Sequence, residues 1–258
     1  MTGALHRRGW LQAGLASAGA LVLGACDKIT ANPKANAVLQ SAEGLTRRAQ
    51  RLLVDRKALA REFTPKDISP DFRPNGSIDP TDPDYLALKA KGFADYRLVV
   101  DGLVERPLSL SLADLRAQPS RTQITRHDCV EGWSSIGKWT GARLGPLLDQ
   151  AGLKKTARYI VFHCADTLEQ TLDGSGQYYE SIDLIDAHHP QTILAYDLND
   201  KPLPVANGAP LRLRVERQLG YKQAKYIMRL EAVADFAHIA RGGGGFWEDR
   251  GYEWYAGI

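Results

Sequence analysis

Between residues 84 and 233 the chain alternates short apolar runs with turn-forming residues. Asp84 to Lys91 predicts a short helix closed by Gly92. Tyr96-Arg97-Leu98-Val99-Val100-Asp101-Gly102-Leu103-Val104 then reads as a strand kinked at its glycine. Leu108-Ser109-Leu110 alternates, and Ser111-Leu112-Ala113-Asp114 has the spacing of a capped helix start. Further strands are predicted over 122–127, 158–164, 169–172, 192–196, 211–216 and 225–233. Helices are predicted over 145–150, ending at Gly152, and over 182–187, ahead of Pro190. Strands outnumber helices with no regular strand–helix alternation, which gives an α+β fold with mainly antiparallel or mixed sheets and short helices. Residues 65–83 have no hydrophobic period and are rich in Pro, Asp, Asn and Gly, as in a long functional loop. Four glycines precede Phe246, Trp247, Tyr252, Trp254 and Tyr255, and so aromatic a tail is expected to pack back onto the domain.

Composition narrows the class. Of 258 residues, 44% are hydrophobic and 24% charged, ordinary values for a globular chain. A net charge of +3 without a dominant basic domain argues against a nucleic-acid partner. The expected organisation is a signal peptide over 1–25, a linker with a basic amphipathic helix over 26–64, and one large domain over 65–258.

The first segment reads as an address. His6-Arg7-Arg8-Gly9-Trp10-Leu11 opens an uncharged stretch rich in Ala, Gly and Leu, the layout of an export signal. Arg7-Arg8 resembles a twin-arginine signal, and Leu23-Gly24-Ala25-Cys26 resembles a lipobox whose cysteine is lipidated. Asp27 after that cysteine resembles a retention signal for the outer face of the inner membrane, so the expected location is periplasmic and membrane-anchored. A single lipid is a marginal anchor, and residues 26–64, net +4, offer a second attraction to anionic headgroups. Leu45, Ala49, Leu52, Leu53 and Leu59 fall near one helical face there; a helix packed on its own domain fits that pattern as well.

Several chemistries lack their residues. There is no Gly-x-x-x-x-Gly-Lys loop, no Cys-x-x-Cys-His haem attachment and no His-Glu-x-x-His zinc helix. Gly132-Trp133-Ser134-Ser135-Ile136 lacks the second glycine of a nucleophile elbow. What remains is His127-Asp128-Cys129-Val130-Glu131-Gly132-Trp133, a cysteine at a strand end beside an imidazole and two carboxylates. Taken alone, Cys129 fits a packed small side chain, a disulfide with Cys164, or a zinc ligand together with His127 and the His163-Cys164 pair.

Later segments favour a different assignment. Trp133, Trp139 and Gly141 are followed by Pro204-Val205-Ala206-Asn207-Gly208-Ala209-Pro210-Leu211-Arg212 and by Gly220-Tyr221-Lys222-Gln223-Ala224-Lys225. With the Cys129 segment, and in this order, these blocks resemble the sulfite oxidase superfamily of molybdopterin enzymes. The likeness is closest to the bacterial branch that includes periplasmic protein-methionine-sulfoxide reductase. It implies the sulfite-oxidase-type molybdopterin-binding fold, a Mo-molybdopterin cofactor and two-electron chemistry of the oxygen-atom-transfer type at a mononuclear centre.

By that resemblance Cys129 is the thiolate ligand of molybdenum, a soft donor suited to the metal. Asn207, Arg212 and Lys225 match pterin-contacting positions, the two cations suiting phosphate. Gln223 and Ala224 match positions whose backbone approaches the cofactor, and Cys164 a contact position. Glu131, two residues past Cys129, is a candidate proton-handling carboxylate. The family's early asparagine-rich segment is absent in its usual form; Asn75, with Tyr85 behind it, is the candidate substitute. Val130-Glu131-Gly132-Trp133 replaces the more cationic stretch of sulfite oxidases, which argues against a sulfite dianion as substrate. Sulfite oxidation, and a noncatalytic periplasmic binding lipoprotein on the same fold, remain the alternatives. No haem motif accompanies the domain, so the expected partners are a small or protein-borne oxo substrate and an external electron carrier such as a membrane cytochrome.

Overall fold

The computed structural model describes residues 32–258; the expected export signal and Cys26 lie outside these residues. The chain divides into two compact units, 1–53 and 54–258. In the first, helix α1 (Pro33–Leu53) ends six residues before Leu59, which therefore does not share its face. The helix gives way to a turn in which the Asp55 side chain accepts from the Lys57 amide at 2.7 Å. No helix among the described residues is long and apolar enough to cross a membrane.

The second unit, Val54–Ile258, takes in residues 54–64 and is built on two sheets. The first comprises β1 (Arg97–Gly102), β2 (Leu108–Ser111), β5 (Tyr159–Thr167), β6 (Gln177–Asp183) and β10 (Ile227–Val233) in the order β2-β1-β10-β5-β6. Only the β1–β10 pairing is parallel. The second comprises β3 (Ser120–Asp128), β4 (Ser134–Arg143), β7 (Ile193–Leu198) and β8 (Lys201–Pro202) in chain order, with β9 (Arg212–Arg214) also paired to β7. Four short helices connect them: α2 (Pro83–Ala90), α3 (Leu112–Ala117), α4 (Leu144–Ala151) and α5 (Leu184–Ala187). The α+β expectation therefore holds.

Local chemistry explains the boundaries. The capping box at α3 is formed, with Ser111 and Asp114 each bonding the other's backbone amide. Gly102 ends β1 at φ +79°, where an added Cβ would lie 2.4 Å from the Ala232 carbonyl oxygen. The strand predicted over 169–172 is instead a turn, and Leu172 is fully exposed. Asp173 accepts from the Ser175 amide and Thr171 from the Gly176 amide, an alternative to ladder bonding. The helix predicted from 182 begins at Leu184, because Ile182 lies within β6 and Asp183 both ends that strand and caps the helix. One apolar core joins the sheets through Leu98, Val100, Ile160, Phe162, Leu194, Leu213 and Leu230. The tail packs back as expected, burying Phe246 and Trp254.

Candidate functional site

Strand β3 delivers Cys129 to the tip of a hairpin. The turn closes with the Cys129 amide donating to the Trp133 carbonyl at 2.9 Å and the Gly132 amide to the Cys129 carbonyl at 3.0 Å. Gly132 takes φ +85°, which a side chain would resist. Glu131 accepts from Trp133 Nε1 at 2.9 Å, and Asp128 from Ser134 Oγ at 2.5 Å, so both acids brace the hairpin. The Cys129 thiol is left half-buried. Burial raises its pKa, as does the Glu131 charge; a backbone hydrogen bond from Glu131 and the charges of Arg73 and Arg212 act the other way.

The thiol faces a cleft of about 570 Å³. Val130 and Glu131 line it from the hairpin, Asn75 and Ser77 from the long proline-rich loop, and Asp166 and Leu168 from the end of β5. Tyr178 of β6, the segment Gly220, Tyr221, Gln223 and Lys225, and Trp247 of the tail complete the wall. Gly220 is dictated by contact: an added Cβ would sit 2.4 Å from Cε1 of the buried His127 ring. Burial, then Arg212 and Arg214, hold His127 well below the usual histidine range, so the ring is neutral.

Behind the cleft lies an imbalance of charge. Arg212 and Arg214 are fully buried, and both guanidinium groups lie over Trp139, at 5.4 and 4.5 Å from a ring centroid. Arg214 forms a two-pronged pair with Glu216, at 2.9 and 2.6 Å. Arg212 has no such partner: it donates to the Asn207 carbonyl at 3.1 Å and to Asn75 Oδ1 at 3.0 Å, and its Nε has no hydrogen-bond partner. Lys225 donates to the Asn75, Ser77 and Ala206 carbonyls rather than to a carboxylate. Burial and the Arg212 charge pull the Lys225 pKa down, while burial pushes the Asp166 carboxyl up. Two buried cations without a hydrogen-bonded carboxylate, one with an orphan donor, form a site deficient in negative charge.

The structure brings Cys129, Glu131, Asn75, Gln223 and Lys225 into one cleft. Arg212 reaches its edge through Asn75. Asn207 braces the floor, its Nδ2 donating to the Phe72 carbonyl at 3.3 Å. Ala224 is buried, and its carbonyl accepts from Leu213. Tyr85 and Cys164 do not line the cleft. Tyr85 donates to the Ala209 carbonyl and packs edge-on against Tyr226, whose hydroxyl holds the Ser77 carbonyl. Cys164 is a core side chain that borders a separate depression on the other side of Tyr178. Both thiols are free, and no group of three or more His, Cys, Asp or Glu side chains able to hold a metal occurs among the described residues. Asp166, Tyr178 and Trp247 were not among the site residues read from the sequence, and Tyr221 entered only as part of its motif. Asp166 and Tyr178 sit in strands with no motif of their own; the tail's aromatic content was the available signal for Trp247.

Residues 86–238, more than half of the chain, match the family model described as the oxidoreductase molybdopterin binding domain. The chain belongs to this family. The resemblance read from the motifs stands, and the family's cofactor is Mo-molybdopterin. The putative protein-methionine-sulfoxide reductase subunit YedZ1 of Azospira oryzae is 42% identical over 164 residues, 64% of this chain and 56% of that protein. The protein-methionine-sulfoxide reductase catalytic subunit MsrP of Xanthomonas axonopodis pv. citri is 38% identical over 171 residues, 63% of this chain and 52% of that one. The matches thus span about half the length of these relatives. The sulfane dehydrogenase SoxCD of Paracoccus pantotrophus is a more distant likeness (TM-score 0.48, 24% identity, 55% of this chain and 39% of that one).

The donors present fit this cofactor. Arg212 and Lys225, neither hydrogen-bonded to a carboxylate, with the orphan Arg212 Nε, suit the phosphate of a pterin, and the half-buried Cys129 thiol suits the metal end. A molybdopterin-dependent oxidoreductase domain is the conclusion that family and donor set support together.

Proposed function

We propose that the chain is an exported oxidoreductase that performs two-electron oxygen-atom transfer at sulfur, in the direction of sulfoxide reduction. When bound, the cofactor supplies a two-electron couple and a centre that exchanges an oxygen atom. The overall reaction consumes a sulfoxide, two electrons and two protons, and yields a thioether and water. Cys129 supplies the protein thiolate to molybdenum. Arg212 and Lys225 hold the phosphate, with Asn207 fixing the Arg212 side and Asn75 closing the pocket over both cations. Gln223 and Ala224 present backbone to the pterin. Glu131, on the cleft wall beside Cys129, holds or delivers a proton. Tyr85 and Cys164 support this arrangement from behind, Tyr85 through Tyr226.

The single observation that carries the reading is the convergence of the half-buried Cys129 thiol and the buried Lys225 on one cleft, with the equally carboxylate-free Arg212 behind it through Asn75. The sulfoxide direction is supported by the names of the two relatives and by the remaining lining, Val130, Leu168, Tyr178, Tyr221 and Trp247, which suits an uncharged substrate better than a sulfite dianion. Electrons come from a separate carrier, and a membrane cytochrome suits a periplasmic protein anchored through Cys26. The test is elemental analysis and pterin release on natively exported protein, followed by turnover with sulfoxides and with sulfite. Stoichiometric molybdenum with sulfoxide reduction is expected. A metal-free, pterin-free protein would mean a binding module, and turnover of sulfite alone would reverse the substrate assignment.

A further inference from the structure

The family match ends at residue 238, yet a residue beyond it, Trp247, lines the cleft. The segment that carries it is tied down at every turn. The Phe246 amide donates to the Tyr179 carbonyl at 3.0 Å. Asp249 accepts from the Tyr179 hydroxyl and the Gly243 amide, both at 2.7 Å. Arg250 forks onto Glu169 at 3.1 and 2.6 Å. Farther on, the Leu219 amide donates to the Ala256 carbonyl and the Ile258 amide to the Arg217 carbonyl, so the last residues run alongside the segment that enters the cleft at Gly220.

The strongest tie is buried. Lys222 is inaccessible to solvent, and its ammonium bonds both Glu180 of β6 and Glu248 of the tail, whose side chains are 0% and 2% exposed. Trp254 of the tail lies over the same ammonium at 5.2 Å. Lys222 sits between cleft residues Tyr221 and Gln223, and Glu248 directly follows Trp247. Breaking a buried ion pair by removing one partner is far costlier than loss of a surface pair, so the tail is held to β6 and to the cleft segment by a junction that is costly to open. The preceding glycines are shaped to it. A Cβ at Gly245 would lie 2.0 Å from Glu248 Oε2, and one at Gly243 2.7 Å from Asp249 Oδ1.

We propose that the C-terminal segment 239–258 is a fixed wall of the cleft, with Lys222 and Glu248 as positioning residues and Trp247 as a determinant of substrate size. Trp247, packed against Phe246 and Tyr252 at 5.2 Å each, limits the cleft to a narrow uncharged group such as a methyl sulfoxide. The choice of sulfoxide rests on the proposed function; the wall itself does not.

Two measurements keep these apart. In cofactor-free full-length protein, peptide-resolved mass spectrometry follows alkylation of Cys129 by iodoacetamide and by a bulky aryl maleimide. Trp247→Ala and Glu248→Gln are each expected to speed the maleimide reaction about tenfold relative to iodoacetamide, the scale of a lost apolar pocket contact, with buried Cys164 still protected. Equal reactivity in wild type and variants, or exposure of Cys164 together with Cys129, would overturn the wall. In the holoenzyme, Trp247→Ala is expected to shift the kcat/KM ratio for methyl phenyl over dimethyl sulfoxide about tenfold through KM, at unchanged molybdenum content. An unchanged ratio would overturn the role of Trp247 in size selection. Wild-type protein that reduces neither sulfoxide would reject the function, with the alkylation result still deciding the wall.

Discussion

Arg212 Nη2 donates to Asn75 Oδ1 at 3.0 Å, joining a strand residue that ends the Pro204–Arg212 motif to a loop residue that precedes the family match. Lys225 bonds the carbonyl of the same asparagine. Asn75 therefore gathers the two cations proposed to hold the phosphate.

The two buried arginines separate binding from stability. Arg212 has no carboxylate partner, so Arg212→Ala should leave the cofactor-free domain within about 1 kcal/mol of wild type, while molybdenum per protein falls about tenfold or more. Arg214→Ala strips Glu216 of its partner in a fully buried pair and should cost about 3–5 kcal/mol in urea unfolding of the same cofactor-free domain. Equal molybdenum content in Arg212→Ala and wild type would remove Arg212 from the phosphate site.

Gly220 makes a steric test. A methyl at this position must displace the His127 ring or the segment that carries Gln223 and Lys225. Gly220→Ala should destabilise by about 1–3 kcal/mol, as overpacking does, and lower pterin content. Normal stability and normal content would show that the segment has room the structure does not provide.

Acid should weaken the fold through its buried histidines as pH falls through the histidine range, against the opposite pull of Asp166, whose carboxyl is pushed up to about 7 by burial. Burial depresses the pKa values of His163 and His189, against the opposing pulls of Glu231 and of the Ala58 carbonyl. The unfolded chain, with histidines near about 6.5, therefore takes up protons first as pH falls. The contribution of the neutral rings is complete above that value and is lost as pH drops below it. Urea midpoints should fall between pH 7.5 and 5.5, and His189→Gln should flatten the slope. A slope unchanged in this variant would assign the acid sensitivity elsewhere.

The export reading is tested separately. Arg7→Lys with Arg8→Lys should hold precursor in the cytoplasm, and Cys26→Ser should permit translocation without fatty-acid labelling. Normal export of the double lysine variant would remove the twin-arginine signal.

Much of this fold was legible where local pattern and packing agree. The Ser111–Asp114 capping box and the strands read over 96–104 and 225–233 formed, the first ending at Gly102 rather than bending there. Strand β4 was missed because Gly137 and Gly141 interrupt its alternation. Their cause is tertiary: Leu198 and Phe72 approach Gly137, and the Leu194 backbone approaches Gly141. Strand β6 was missed because Glu180 and Ser181 are buried polar residues whose side chains find partners far along the chain, Lys222, Gly244 and Trp254. At the site, Cys129, Arg212 and Lys225 came from motifs. Asp166 and Tyr178 came from the way β5 and β6 end beside the cleft, and no local pattern encodes that. Cys164 and Tyr85 show the reverse: a matched contact position and the neighbourhood of Asn75 suggested them for the site, and packing turns them away from the cleft.

The most direct measurement is molybdenum X-ray absorption on the holoprotein, comparing wild type with Cys129→Ala and Cys164→Ala. Cys129 should contribute one sulfur in the metal's inner shell beyond those of the pterin. The expected result is loss of that sulfur and of turnover in Cys129→Ala alone, with Cys164→Ala retaining both. An unchanged sulfur shell in Cys129→Ala would contradict the assignment of this thiol to the metal.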